Sequence, residues 1–152
     1  MSTRHEVRMW AVQFLFQRDF NCGELAHDLD IFWSDKERGC SDKLHAFCEE
    51  LIRGVDSNRA SLDEHLQRYA DNWELKRMGG VDRNVMRVAL FEMLHRPDIP
   101  PVVSINEAVE IAKDLSSEES GKFVNGILDR IRKDLKRAPR AAAVVGANLK
   151  KE

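Results

Sequence analysis

The sequence predicts an all-α protein. Apolar residues recur three and four positions apart in one stretch after another, and no run alternates apolar with polar residues as a half-buried strand would. Ser and Glu also stand three apart where new stretches begin, the spacing of a reciprocal helix cap.

The first helix is expected over Thr3 to Phe20, with Val7, Trp10, Ala11, Phe14 and Leu15 on one stripe and Ser2 or Thr3 as cap. Phe16 and Phe20 fall off that stripe, which fits either a broadened buried face or a partner-binding surface. Arg4, His5 and Arg8 occupy the first turns, where cations oppose the helix dipole. A solvated helix end accommodates them; an anionic ligand would favour them.

Asn21-Cys22-Gly23 breaks this helix, and Glu24 to Trp33 suggests a short second one before a polar loop, Ser34 to Gly39. Ser41 opens a third, central helix with Leu44, Phe47, Cys48, Leu51, Ile52 and Val55 facing inward. His45 and Cys48 are one turn apart, but without a second ligand pair no metal site is expected. Asp56, Ser57 and Asn58 offer caps for a fourth helix bearing Leu62, Leu66 and Tyr69 and ending near Trp73.

Met78-Gly79-Gly80 is the clearest interruption. A fifth helix follows, Asp82 to His95, with Val85, Met86, Ala89, Leu90, Met93 and Leu94 inward, Arg83 and Arg87 on one exposed strip, and Glu92 clear of them. Pro100 and Pro101 forbid a helix running through them, and Ser104 with Glu107 sets a sixth helix starting at about Ser104. Ser116 with Glu119 repeats the arrangement for a seventh, striped by Phe123, Val124, Ile127, Leu128 and Ile131. The last two form a helical hairpin.

That hairpin holds an oddity: Gly126 lies inside the seventh helix, where Gly costs about 1 kcal/mol relative to Ala. It either admits a closely packed neighbour or belongs, with Lys122, Phe123 and Asn125, to a polar cationic patch near a helix start that suits phosphate. Arg130 to Arg137 extends the helix with five cations. Seven helices with a break at Gly79-Gly80 suggest two small packed helical bundles, about 3–57 and 58–137, in a single domain, 1–137, followed by a flexible basic tail, 138–152.

With 152 residues the chain can bury a core without staples. A mean hydropathy of -0.47 and 33% charged residues fit a soluble cytoplasmic protein, with no membrane span or apolar signal core. Cys22, Cys40 and Cys48 are odd in number and lack CxxC spacing, so reduced thiols are expected. The net charge of -2 hides an asymmetry: residues 130–152 carry eight Lys or Arg against two acids, leaving -8 on residues 1–129. A nucleic-acid binder of this composition needs local cationic patches.

Ile105-Asn106-Glu107-Ala108-Val109-Glu110-Ile111-Ala112-Lys113 and Lys122-Phe123-Val124-Asn125-Gly126-Ile127-Leu128-Asp129 resemble the signature of the NusB family of bacterial transcription antitermination factors. Glu6 to Gln13 with Phe16, Leu51 to Asn58, and Val81 to Glu92 resemble the family's other segments in the same order, so the likeness spans about residues 4–135. It implies an all-α NusB-like fold, no cofactor and no catalysis. It implies binding of boxA-type single-stranded RNA with ribosomal protein NusE, alongside other Nus factors and RNA polymerase. The implied RNA contacts are Arg4, His5, Arg8, Lys113, Lys122, Phe123 and Asn125, and the implied partner contacts are Phe16, Asp82 and Arg83. The family commonly opens with an arginine cluster; here only Arg4 and Arg8 occupy that region, with Glu6 among them.

Two other readings stay open. One is a protein-only adaptor using Phe16 and Phe20; the other is a stand-alone recognition module like that fused to RNA methyltransferases. An enzyme built on His45, Cys48 or the Glu107 region is disfavoured, since capping accounts for the acids and no nucleophile has a base at predictable reach.

Overall fold

The computed structural model describes residues 3–35, 40–70 and 78–137, and among them every regular element is helical. In order these are α1 (Arg4–Phe20), α2 (Leu25–Asp35), α3 (Asp42–Ser57), α4 (Arg59–Gln67), α5 (Gly80–His95), α6 (Pro101–Leu115) and α7 (Glu118–Arg137). None of the described helices is long and apolar enough to cross a membrane. Trp73 and the basic tail lie outside the described residues.

α1 begins as its sequence dictates. Thr3 accepts from the Glu6 amide and Glu6 accepts from the Thr3 amide, so the acid that interrupts the arginines is the second half of a capping box. α3 starts at the Ser41 cap and buries Phe47, Cys48, Leu51, Ile52 and Val55. Asn58 ends α3 and precedes α4, but its side chain turns back to the Gly54 carbonyl and caps nothing ahead.

α5 is the spine. It packs against α1, α3, α4, α6 and α7, and buries every residue from Asn84 to Glu92. The expected exposed strip is therefore absent: Arg87 is 4% exposed and Glu92 1%. A helix enclosed on several sides cannot keep a solvated face, so its charged residues survive only by pairing. Gly54 makes the crossing of α3 over α5 possible, because a Cβ there would lie 2.2 Å from the Phe91 ring.

α6 starts one turn earlier than expected. Pro101 is its first residue, where a fixed φ suits the helix and no donor is lost. Ser104 is consequently inside the helix and buried, its hydroxyl donating to Glu92 Oε1 at 2.6 Å. α7 is capped one residue later than expected: Ser117 Oγ accepts from the Ser120 amide, and Ser116 ends α6.

Candidate RNA and partner interfaces

Two carboxylates organise the charged residues of α1 and α5. Glu92 Oε2 accepts Arg8 Nε at 2.6 Å, and Glu92 Oε1 accepts Arg8 Nη2 at 3.0 Å and the Ser104 hydroxyl. Asp19 accepts from Arg83, Asn84, Arg87 and Arg59. Burial pushes the Asp19 carboxyl up, but the Asn84 hydrogen bond and the Arg87 and Arg83 guanidiniums outweigh it and hold the carboxyl below its usual range.

The Arg8 pair lies directly beneath the amino end of α1. Arg8 Nη1 is 3.7 Å from Glu107, which in turn stands 2.6 Å from His5 Nδ1; His5 Nε2 is 3.9 Å from Asp114. Glu107 thus fastens α6 to α1 and is no cap. Next to Asp114, Lys113 lays its stem across Gly121 at the start of α7, where a Cβ would come within 2.6 Å of Lys113 Cγ. A chain of contacts therefore runs from the first turn of α1, over the end of α6, to the first turns of α7.

Along it, Arg4, Lys122 and Asn125 are exposed, while His5, Lys113 and Phe123 are half-buried. The guanidinium of Arg4 sits 4.5 Å from the Phe47 ring centroid, with Arg8 and Arg96 at 5.2 and 5.3 Å from the same ring. Arg96 carries no sequence signal beyond its place at the carboxyl end of α5, where a cation is ordinary. Phe123 packs against the core and is half-buried. Arg8 departs from expectation: its side chain is 5% exposed and committed to Glu92, so it supports the surface from below.

Of the predicted partner residues, Phe16 lines a separate groove of about 570 Å³ that mixes apolar Phe32 and Val81 with polar Gln17, Arg18 and Asp28, whereas Asp82 and Arg83 are not part of its lining. Phe16 rests on Gly80, where a Cβ would lie 2.7 Å from the ring, and meets Phe20 edge to face at 5.2 Å. Phe20 is 74% exposed and Ile31, in the groove's lining, 52%, so two large apolar side chains stand open to solvent. Asp82 Oδ1 is buried without a hydrogen-bond partner, and burial pushes this carboxyl up against the opposing effect of the Ser120 hydroxyl. Arg83 is held by Asp19 and the Met78 carbonyl.

No group of three or more potential metal ligands occurs among the described residues. His45 instead stacks on Trp33 at 4.0 Å, and Cys48 Sγ donates to the Val7 carbonyl over 3.7 Å.

The all-α scaffold thus carries a polar, partly cationic ridge and, apart from it, a groove of mixed polar and apolar lining. Residues 5–133 match the NusB family, and the chain belongs to it. It is 45% identical over 132 residues to transcription antitermination protein NusB of Desulforapulum autotrophicum, covering 87% of this chain and 92% of that one. Identity to the Myxococcus xanthus protein of the same name is 44% over 133 residues, with coverage of 86% and 95%. Among solved structures, T. maritima NusB superposes with a TM-score of 0.79 at 40% identity, covering 88% of this chain and 92% of that chain. A structure of antitermination factors NusB and NusE with double-stranded RNA gives 0.77 at 22% identity, covering 86% and 96%, and bears on the fold alone.

Proposed function

We propose that this chain is a transcription antitermination protein that captures boxA-type single-stranded RNA together with ribosomal protein NusE, within a cytoplasmic assembly containing other Nus factors and RNA polymerase. It performs no chemistry on what it binds. The observation that carries this reading is the ridge from Arg4 to Asn125, where the side chains of Lys122 and Asn125 make no hydrogen bond or ion pair with a described residue and stand ready for a ligand. Its support from relatives is their shared name, transcription antitermination protein, at 44–45% identity.

In this reading Arg4, Lys113 and Lys122 meet phosphates, Asn125 hydrogen-bonds a base edge, and Phe123 offers the accessible part of its ring for stacking. His5 lines the same ridge, and Arg8 holds it in place through Glu92. Phe16 and the groove it lines take the partner, with Asp82 receiving a donor that its buried oxygen lacks. Residues 1–137 act as one RNA-binding domain, and the basic tail adds phosphate contacts.

A titration with boxA-type RNA and a scrambled control, with and without NusE, at two salt concentrations tests the proposal. Preference for boxA that NusE strengthens is the expected result. Equal, steeply salt-dependent binding of both RNAs would reduce the ridge to a nonspecific polycation contact. Absence of RNA binding even with NusE bound would leave the Phe16 groove as the working surface and make the protein an adaptor.

A further inference from the structure

We propose that Gly126 is a ribose-contact position, where the RNA strand lies directly against the main chain of α7 and its 2′-hydroxyl reaches a helix carbonyl; this rests on the RNA-binding reading above. An interior helix glycine is destabilising relative to alanine, so its presence requires a reason. The other helical glycines supply one in packing. A Cβ would meet Phe91 at 2.2 Å from Gly54, Phe16 at 2.7 Å from Gly80, and Lys113 at 2.6 Å from Gly121.

Gly126 has no such neighbour. Apart from its chain neighbours and the nearby backbone of its own helix, no described atom lies within 4 Å of its would-be Cβ, the residue is exposed, and its φ is outside the left-handed region. It also sits well inside α7 and terminates nothing. Among the described residues, packing, backbone conformation and capping therefore all fail to explain it.

What the missing side chain does is uncover main chain. A helical Cβ leans toward the amino end and covers the preceding turn, so alanine at 126 would shield the carbonyls near Lys122 and Phe123. Those carbonyls keep a second lone pair beyond their helical hydrogen bond. The bare strip is flanked by the partnerless Lys122 amine, one turn away on the same side, and by the Asn125 amide. A phosphate held by Lys122 would bring its adjoining sugar onto the uncovered turn. Because the 2′-hydroxyl is the group that distinguishes RNA from DNA, this position would read sugar identity.

The test titrates wild type, Gly126→Ala and Lys122→Ala with boxA-type RNA and with DNA of the same base sequence, in the presence of NusE, alongside thermal melting. Gly126→Ala is expected to melt at or above the wild-type temperature. It should lose RNA affinity by about tenfold and DNA affinity by less than about twofold, roughly the effect of one hydrogen bond. Lys122→Ala should weaken both ligands. Wild-type RNA affinity in Gly126→Ala, or equal losses for RNA and DNA, would overturn the ribose contact. If Lys122→Ala weakens binding while Gly126→Ala does not, only the glycine inference falls; a wild type that binds no RNA overturns both readings.

Discussion

Arg8 and Glu92, 84 positions apart, form a two-point ion pair in which both side chains are at most 5% exposed. Removing one member strands the other's charge in the interior, so Glu92→Ala or Arg8→Ala should each cost roughly 3–5 kcal/mol in urea denaturation. An apolar double replacement, Arg8→Met with Glu92→Leu, should recover most of that loss while Ser104 forfeits its acceptor. If the single variants unfold like wild type, the pair contributes nothing to stability.

Asp19 holds α1, α4 and α5 together through four donors, and Asp19→Asn should cost roughly 3 kcal/mol at pH 7 by leaving Arg87 short of countercharge. The folded carboxyl titrates below its usual value of 3.8, so its stabilising effect is complete above about pH 4 and fades as pH falls through the folded value. The gap between wild type and Asp19→Asn should therefore narrow between pH 4 and more acidic conditions. A gap that widens on acidification would reverse the sign of the shift.

Phe123 serves packing and ligand at once, being half-buried against the core. Phe123→Ala should lower stability by about 2 kcal/mol, less than full truncation of a core aromatic. Phe123→Leu separates the two roles: stability close to wild type, with RNA affinity reduced by about 1–3 kcal/mol through loss of base stacking. Unchanged affinity in Phe123→Leu would assign the ring to packing alone.

Gly80→Ala tests the groove. The new methyl would stand 2.7 Å from the Phe16 ring and force it to move, so NusE affinity should fall along with stability. Phe16→Ala should lower NusE affinity with a stability loss below about 2 kcal/mol, because this side chain is only half-buried. Isothermal titration with both variants decides it; two wild-type affinities would move the partner site off this face.

Much of the fold was legible because helical periodicity and caps are local signals, as at the Ser41 cap and along α3. What failed was charge. Arg83 and Arg87 read as one exposed strip with Glu92 clear of them, yet α5 is enclosed: its counterions come from α1 and α4, and α6 adds the Ser104 hydroxyl. Nothing in local spacing announces a partner 68 positions away. The Ser104–Glu107 spacing misled for the same reason: both side chains are spent on contacts between helices. The accessible residues of the ridge, Lys122 and Asn125, were legible because their helix face needs only the apolar stripe to be read.

The fastening of α1 to α5 has a bearing on birth at the ribosome. A chain made from its amino end presents Arg8 long before residue 92 exists, so α1 waits through most of synthesis without its buried counter-ion. Stalled nascent chains ending before α5 should consequently leave α1 open to protease, and those extended beyond α6 should protect it.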